Sequence, residues 1–281
     1  MIRVNKLCFS YTKKPFIDGM SFEVKKGEIF GFLGPSGAGK STLQNILTGL
    51  LTGYGGSVTV NGTEVKNRRE DFYENIGVDF EFPSLYEKLT ALENLRFFAS
   101  LYKKSNAPGP LLESVGLAPD ANKKVADFSK GMKSRLNFVK ALLHDPEILF
   151  LDEPTSGLDP SNARVMKDMI LKEKARGKTI LLTTHNMYDA TELCDRVAFI
   201  VDGELRALDS PHSLIMSRGA ARVRYTYLKD GREEQGEVPL GQTGGDELLK
   251  TLMRENRLLS VHSSEPTLND IFVELTGRRL Q

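Results

Sequence analysis

The sequence predicts an α/β fold built on a mostly parallel sheet, and three observations carry that prediction. Short apolar runs, Ile29-Phe30-Gly31-Phe32-Leu33, Ile148-Leu149-Phe150-Leu151 and Thr179-Ile180-Leu181-Leu182, read as strands buried on both faces. Between the last two, Asp159-Pro160 opens a helical pattern with Val165, Met166, Met169 and Ile170 on one face and Gly177 at its end. The first run stops at a glycine-rich turn that leads into a helix through Leu43, Ile46, Leu47 and Leu50. Strands alternating with helices in this way form a parallel sheet with helices on its faces.

The remaining elements follow in chain order. Gly56 to Gly62 and Ile76 to Phe80 are further strand candidates bounded by turn residues. Thr90 and Glu93 form a capping-box pattern, after which Leu92, Leu95, Ala99 and Tyr102 recur at helical spacing. A second helix pattern runs from Ser129 to about His144, so residues ~90 to 145 read as a helical insertion. Beyond Ser217, Val223, Tyr225 and Tyr227 alternate with polar residues, and Asp230-Gly231 offers a hairpin turn. A helix with Leu248, Leu249, Leu252 and Met253 follows, then a strand-like segment and a last helix opened by Thr267 with Asp270. The expected division is a main domain over 1–217 and a small α+β appendage over 218–281.

Composition narrows the function classes. The 281 residues carry 38 Lys plus Arg against 37 Asp plus Glu, a net charge of +1 that gives no support to a nucleic-acid-binding surface. Cys8 and Cys194 lie far apart, without metal-ligand spacing, which fits a reducing compartment. The opening Met1-Ile2-Arg3-Val4-Asn5 lacks the apolar core of a signal peptide. No stretch approaches the ~20 apolar residues that cross a bilayer, so work at a membrane would require another chain to span it.

Gly34-Pro35-Ser36-Gly37-Ala38-Gly39-Lys40-Ser41-Thr42 fits G-x-x-x-x-G-K-[ST] in full, between a strand and a helix. Glycines let successive backbone N–H groups curl around phosphate oxygens, and a helix N-terminus favours the anion. Lys40 can then reach the β- and γ-phosphates of ATP, and the Ser41 hydroxyl can coordinate magnesium. Such a metal also needs a carboxylate, and Asp152 stands at the carboxyl end of its strand, where open α/β sheets place ligands. Glu153 is the candidate to accept a proton from the attacking water, or to orient it. His185 follows the Thr179 to Thr184 strand and is placed to sense the γ-phosphate and hold that water.

These pieces, in this order, resemble the ATP-binding cassette ATPases, the motor subunits of ABC transporters, over about residues 1 to 216. Phe128-Ser129-Lys130-Gly131-Met132 resembles the family signature L-S-G-G-Q at the start of a helix. The resemblance implies that Ser129 and Gly131 close over ATP held by a second ATP-binding subunit, identical or paralogous, and that the fold is the P-loop cassette with an N-terminal antiparallel β region. It also implies that Tyr11 stacks on adenine, although packing explains a tyrosine there as well, and that Ser156-Gly157-Leu158-Asp159 touches the other subunit. Asp152 matches the magnesium ligand, Glu153 the catalytic carboxylate and His185 the switch histidine.

Two residues depart from the family pattern. Glu81 stands where a glutamine is usual; an ionised carboxylate can bind the metal but cannot donate a hydrogen bond. Lys130 replaces the first signature glycine and either adds a charge contact or faces solvent. Phe82, Pro83, Leu85 and Tyr86 either line a groove for an integral membrane permease subunit or pack in the core. The ending around Pro266 to Gly277 resembles export-type subunits, which implies a peripheral position on the cytoplasmic side of the cell membrane. A soluble cassette acting on DNA or ribosomes is the alternative; the single glycine loop and the absence of a heptad run speak against it. An ATP-sensing regulatory subunit is a third reading, and Glu153 speaks against that one.

Overall fold

The computed structural model describes residues 1–218, 222–264 and 266–277. The chain divides into two compact units, one from Met1 to Asp209 and one from Ser210 on. That division precedes the expected one because the helix Pro211–Arg218 packs with the helix Leu268–Thr276 of the second unit.

In the first unit the chain runs β1 (Ile2–Phe9), β2 (Ile17–Val24), β3 (Ile29–Leu33), α1 (Lys40–Leu47), β4 (Gly55–Val60) and β5 (Thr63–Glu64). Then come α2 (Glu70–Tyr73), β6 (Ile76–Asp79), α3 (Ala91–Ala99), α4 (Pro108–Ser114), α5 (Lys130–Ala141), β7 (Ile148–Asp152) and α6 (Pro160–Ala175). The unit closes with β8 (Thr179–Thr184), α7 (Met187–Leu193), β9 (Arg196–Val201) and β10 (Glu204–Asp209).

Two sheets result. A six-stranded sheet has the order β10-β9-β3-β8-β7-β6, parallel throughout except for the β9–β10 hairpin. All five residues of β3 are buried, as a strand with neighbours on both sides and layers on both faces requires. A four-stranded antiparallel sheet, β2-β1-β4-β5, lies at the N-terminal part of the chain. Between them sits a core in which Phe22 stacks on Phe30 at 5.9 Å and meets Phe32 edge-on at 5.0 Å. Packing of this kind contributes ~0.5–1.5 kcal/mol per pair beyond burial.

The parallel order places the carboxyl ends of β3, β8 and β7 side by side. The turns after Leu33, Thr184 and Asp152 therefore converge at one edge. That convergence, produced by apolar strands that must be covered on both faces, is what positions the site.

The insertion begins with α3, whose Thr90 cap and Glu93 side chain satisfy each other's backbone donors. Asn94 is wholly buried and exchanges hydrogen bonds with the Tyr86 backbone in both directions, tying the preceding loop to the helix. The sequence did not signal α4 (Pro108–Ser114). On α6, Met166, Met169 and Ile170 are buried as expected, with Glu173, but Val165 is 39% exposed. An apolar stripe at i, i+3, i+4, i+7 leaves the residue before it turned away by one helical step.

His144, just past α5, is buried and stacks on Tyr102 with ring centroids 3.8 Å apart. Its Nε2–H donates to the Ile76 carbonyl at 2.8 Å, and Nδ1 has no partner. Burial lowers its pKa from the ordinary histidine value, so the fold disfavours the charged ring. A depressed folded pKa contributes stability at pH values above the unfolded pKa, and that stability is lost as the pH falls through the folded one. Urea midpoints should therefore drop on acidification below neutrality, and His144→Phe should flatten that drop; an unchanged slope contradicts the assignment.

The second unit comprises α8 (Pro211–Arg218), β11 (Arg222–Lys229), β12 (Arg232–Pro239), α9 (Glu247–Arg254), β13 (Leu258–Ser264) and α10 (Leu268–Thr276). Its antiparallel sheet has the order β12-β11-β13. Asp230 and Gly231 both have positive φ, +51° and +74°, as a two-residue hairpin turn with the twist of its strands demands. Leu249 and Leu252 of α9 pack on Val223, Tyr225 and Tyr227, while Leu248 and Met253 are exposed. The Thr267–Asp270 capping box opens α10.

Candidate functional site

The glycine turn leaves β3 at Gly34 and enters α1 at Lys40, with Gly37 and Gly39 at φ +79° and +111°. Only glycine takes such values without strain. A methyl at Gly34 would run into the Ile200 carbonyl of β9, so that position is closed to any side chain. α1 starts on Gly39 with no side-chain cap and no acidic residue in its first turn. By contrast, side-chain oxygens of Thr90, Ser129, Asp159 and Asn186 cap α3, α5, α6 and α7. The N–H groups of α1 are thus left for an external anion.

Beside that helix end is a cavity of about 260 Å³ bordered by Ser36, Gly37, Gly39, Lys40, Ser41 and Thr42, and across from them by Glu81, Asp152, Glu153 and His185. The turns from β3, β7, β8 and the segment after β6 meet here. Lys40 folds its ammonium back onto the carbonyls of Gly34 and Pro35, at 2.6 and 3.1 Å. Burial lowers its pKa, and the charges of Glu153, Asp152 and Glu81 work in the opposite direction. A cation held by two neutral carbonyls above three acids is set to turn towards a phosphate.

Asp152 is raised above the ordinary aspartate value, first by burial, while hydroxyls of Thr183 and Ser41 hydrogen-bond to it and oppose the shift. Glu153 has φ +49°, a left-handed conformation that costs a non-glycine residue ~1 kcal/mol or more. Its N–H donates to the Thr183 carbonyl at 3.0 Å, and its carboxylate takes the Thr184 hydroxyl at 3.2 Å and lies 2.8 Å from His185 Nδ1. The carboxylate is therefore fixed from two sides and aimed along the cavity. This arrangement can bind a triphosphate, hold a divalent cation between Ser41 and Asp152, and take a proton from water at Glu153.

Not every expected residue borders the cavity. Gly34, Pro35 and Ala38 shape the loop from behind, where the Gly203 N–H donates to the Ala38 carbonyl. Tyr11 is 61% exposed and touches the site through its hydroxyl, 2.9 Å from Thr42 Oγ1, with its ring against Phe9 and Phe16. Ser129 and Gly131 are not among the lining residues; the Ser129 hydroxyl caps α5 by accepting the Met132 N–H at 3.2 Å.

Other residues were not anticipated. Phe16 lines the cavity, its ring against Tyr11, and its only signal was an aromatic residue soon after Tyr11 in sequence. A second cavity of about 290 Å³ shares Glu81, Asp152 and Glu153 with the first. Asp79 borders it, wholly buried and hydrogen-bonded by Asn137, with its pKa pushed up to about 7 by burial. An aspartate within the apolar stretch Ile76 to Phe80 was the available clue.

The family described as ABC transporter matches residues 17–156. A fluoroquinolones export ATP-binding protein of Mycobacterium tuberculosis (strain ATCC 25618 / H37Rv) is 54% identical over 284 residues, covering all of this chain and 94% of that protein. The Nod factor export ATP-binding protein I of Rhizobium meliloti (strain 1021) is 37% identical over 298 residues, covering all of this chain and 89% of that protein. Among solved structures, an ATP-binding subunit of an ABC transporter aligns with a TM-score of 0.70 at 32% identity, covering 77% of this chain and 92% of that one. The fold is shared by a dimeric cassette bound to ADP and Pi in a post-hydrolysis state, with a TM-score of 0.67 at 24% identity, covering 75% of this chain and 98% of that one. The likeness supports a transport motor and not the nucleic-acid alternative: this chain belongs to the ABC transporter family, as an ATP-binding subunit that hydrolyses ATP.

Proposed function

We propose that this chain drives an exporter by hydrolysing magnesium-bound ATP between two copies of itself, attached to the cytoplasmic face of a separate membrane-spanning permease. The observation that carries the reading is the single cavity in which the uncapped N-terminus of α1 and Lys40 face Asp152, Glu153 and His185. Lys40 and the backbone of residues 34 to 42 bind the phosphates, with Tyr11 and Phe16 beside the base. Ser41, Asp152 and Glu81 hold magnesium, which neutralises phosphate charge when bound. These donors fit it, since hard oxygens of Asp152 and Glu81 border the cavity beside Ser41, whose hydroxyl hydrogen-bonds to Asp152. Glu153 takes the proton of the attacking water, and His185 keeps that carboxylate oriented.

A second copy contributes Ser129 and Gly131 to the γ-phosphate, because in one chain they lie off the cavity that contains Lys40. Loss of the γ-phosphate removes those contacts and lets the halves part. Export, and a fluoroquinolone-like amphiphile as the first substrate to test, come from the printed names of the relatives. Among the described residues no helix is long and apolar enough to cross a membrane. An exposed apolar surface at Phe82 and Tyr86 is where the permease would dock.

Purification of the tagged chain from its native membranes tests this. The expected result is recovery with an integral membrane protein whose presence raises ATP turnover. Recovery with nucleic acid or ribosomes instead overturns the transport reading.

A further inference from the structure

β6 ends on a buried carboxyl. Asp79 is 5% exposed, and Asn137 of α5, which meets it, is 1% exposed. The Asn137 Nδ2 carries two hydrogens and directs both at this strand end: it donates to Asp79 Oδ1 and, at 3.3 Å, to the Phe80 carbonyl. The Asn137 Oδ1 has no partner. Turning the amide over would set that oxygen against two others, so only this orientation fits. The amide donates whether the carboxyl is charged or neutral.

The segment that follows has little else to hold it. From Glu81 to Leu85 no backbone N–H or carbonyl pairs with another backbone group among the described residues. Side chains of the insertion act instead: Lys140 donates to the Ser84 carbonyl at 3.3 Å, and Asn94 binds the Tyr86 backbone. Glu81 borders both cavities, and among the described residues its carboxylate makes no hydrogen bond or ion pair. Its position is therefore set by its backbone. The Phe80 carbonyl and the Glu81 N–H belong to one planar peptide group, and the bond from Asn137 fixes that plane.

Stability alone does not call for this pair, since an apolar pair of the same volume would fill the space without burying a carboxyl. We infer that Asp79 and Asn137 are positioning residues: their buried bond anchors the peptide from which Glu81 leaves β6, and so holds the Glu81 carboxylate on the cavity it shares with Ser41 and Asp152. The inference rests on the reading of Glu81 as a magnesium ligand. Groups that orient a metal ligand from behind typically change metal affinity by ~10–10²-fold when removed.

Binding of the β,γ-imido analogue of ATP to the purified chain, with magnesium and with a chelator in its place, tests this, alongside thermal melting. The ratio of the two affinities is the readout, and no turnover enters it. Asp79→Val with Asn137→Ala keeps the combined side-chain volume and removes both polar groups. It should cut the ratio ~tenfold, with affinity in the chelator unchanged and melting near that of the wild type. Asp79→Asn with Asn137→Asp, an exchange that keeps one bond between the two but withdraws the donor from the Phe80 carbonyl, should cut the ratio as well, and answers the question if the apolar pair does not fold. Asp79→Asn alone, which keeps an acceptor for the Asn137 amide, should keep the wild-type ratio. Glu81→Ala should cut it at least as far, and adding either double variant should cut it no further. A ratio unchanged in Glu81→Ala overturns the reading of Glu81 and this inference with it. A ratio cut by Glu81→Ala but intact in a folded double variant, or as low in Asp79→Asn alone as in the double variants, overturns this inference alone.

Discussion

Glu153→Gln is expected to bind ATP as tightly as the wild type and to turn it over ~10²–10⁴-fold more slowly. The substitution keeps the shape of the side chain and its hydrogen bond from Thr184, so the cavity and the phosphate loop are preserved. What it removes is the oxygen able to accept a proton from water. No neighbour can replace it: His185 is joined to that carboxylate, and Asp152 is bound by the Thr183 and Ser41 hydroxyls. Phosphate release under saturating ATP, with binding measured separately, gives the answer. Turnover within a few-fold of wild type contradicts the role of Glu153.

Lys40→Ala should weaken ATP binding by ~10²-fold or more. Charge-assisted hydrogen bonds contribute ~1.5–3 kcal/mol each, and Lys40 can make two to the phosphates. The loss extends beyond those bonds, because the ammonium offsets the charges of Glu153, Asp152 and Glu81 around the cavity. Without it an anionic ligand meets three carboxylates. Calorimetric titration should show this with the melting temperature little changed, since Lys40 bonds only to its own loop. Normal affinity contradicts the phosphate assignment.

The parts of this protein that were legible in its sequence are those whose chemistry is local. β3, β7 and β8 declare themselves because a strand covered on both faces carries a continuous apolar run, here Ile29–Leu33, Ile148–Leu151 and Ile180–Leu182. The turn at Asp230-Gly231 and the boxes at Thr90 and Thr267 are legible because a positive φ or a bare N–H admits few residue types. The glycine loop combines both kinds of signal. Asp152 and Glu153 on one segment and His185 on another could be gathered together because a parallel sheet sends its carboxyl ends to one edge.

What stayed hidden depends on packing between distant segments. The closeness of Gly131 to Asn162 is written in no spacing rule, because the two residues lie on helices distant in sequence. Asp79 looked like an ordinary strand residue until Asn137 of α5 was placed against it. Phe16 sits on a loop between two strands of the antiparallel sheet and reaches the cavity beside Gly39, a placement that no local sequence rule gives. The β9–β10 hairpin escaped notice because β10 alternates between exposed and half-buried positions and has no apolar run.

The central claim is that the pocket is completed by a second copy of this chain. Cysteines placed at Ser36 and Ser129 in a Cys8→Ser background, in the complex with its membrane partner, should be joined by a short bis-maleimide when magnesium and ATP are present with Glu153→Gln. The account predicts a covalent dimer that forms with ATP and is much reduced with ADP. Linkage only within a single molecule, or equally with either nucleotide, in a protein whose parent with Glu153 intact hydrolyses ATP, contradicts it.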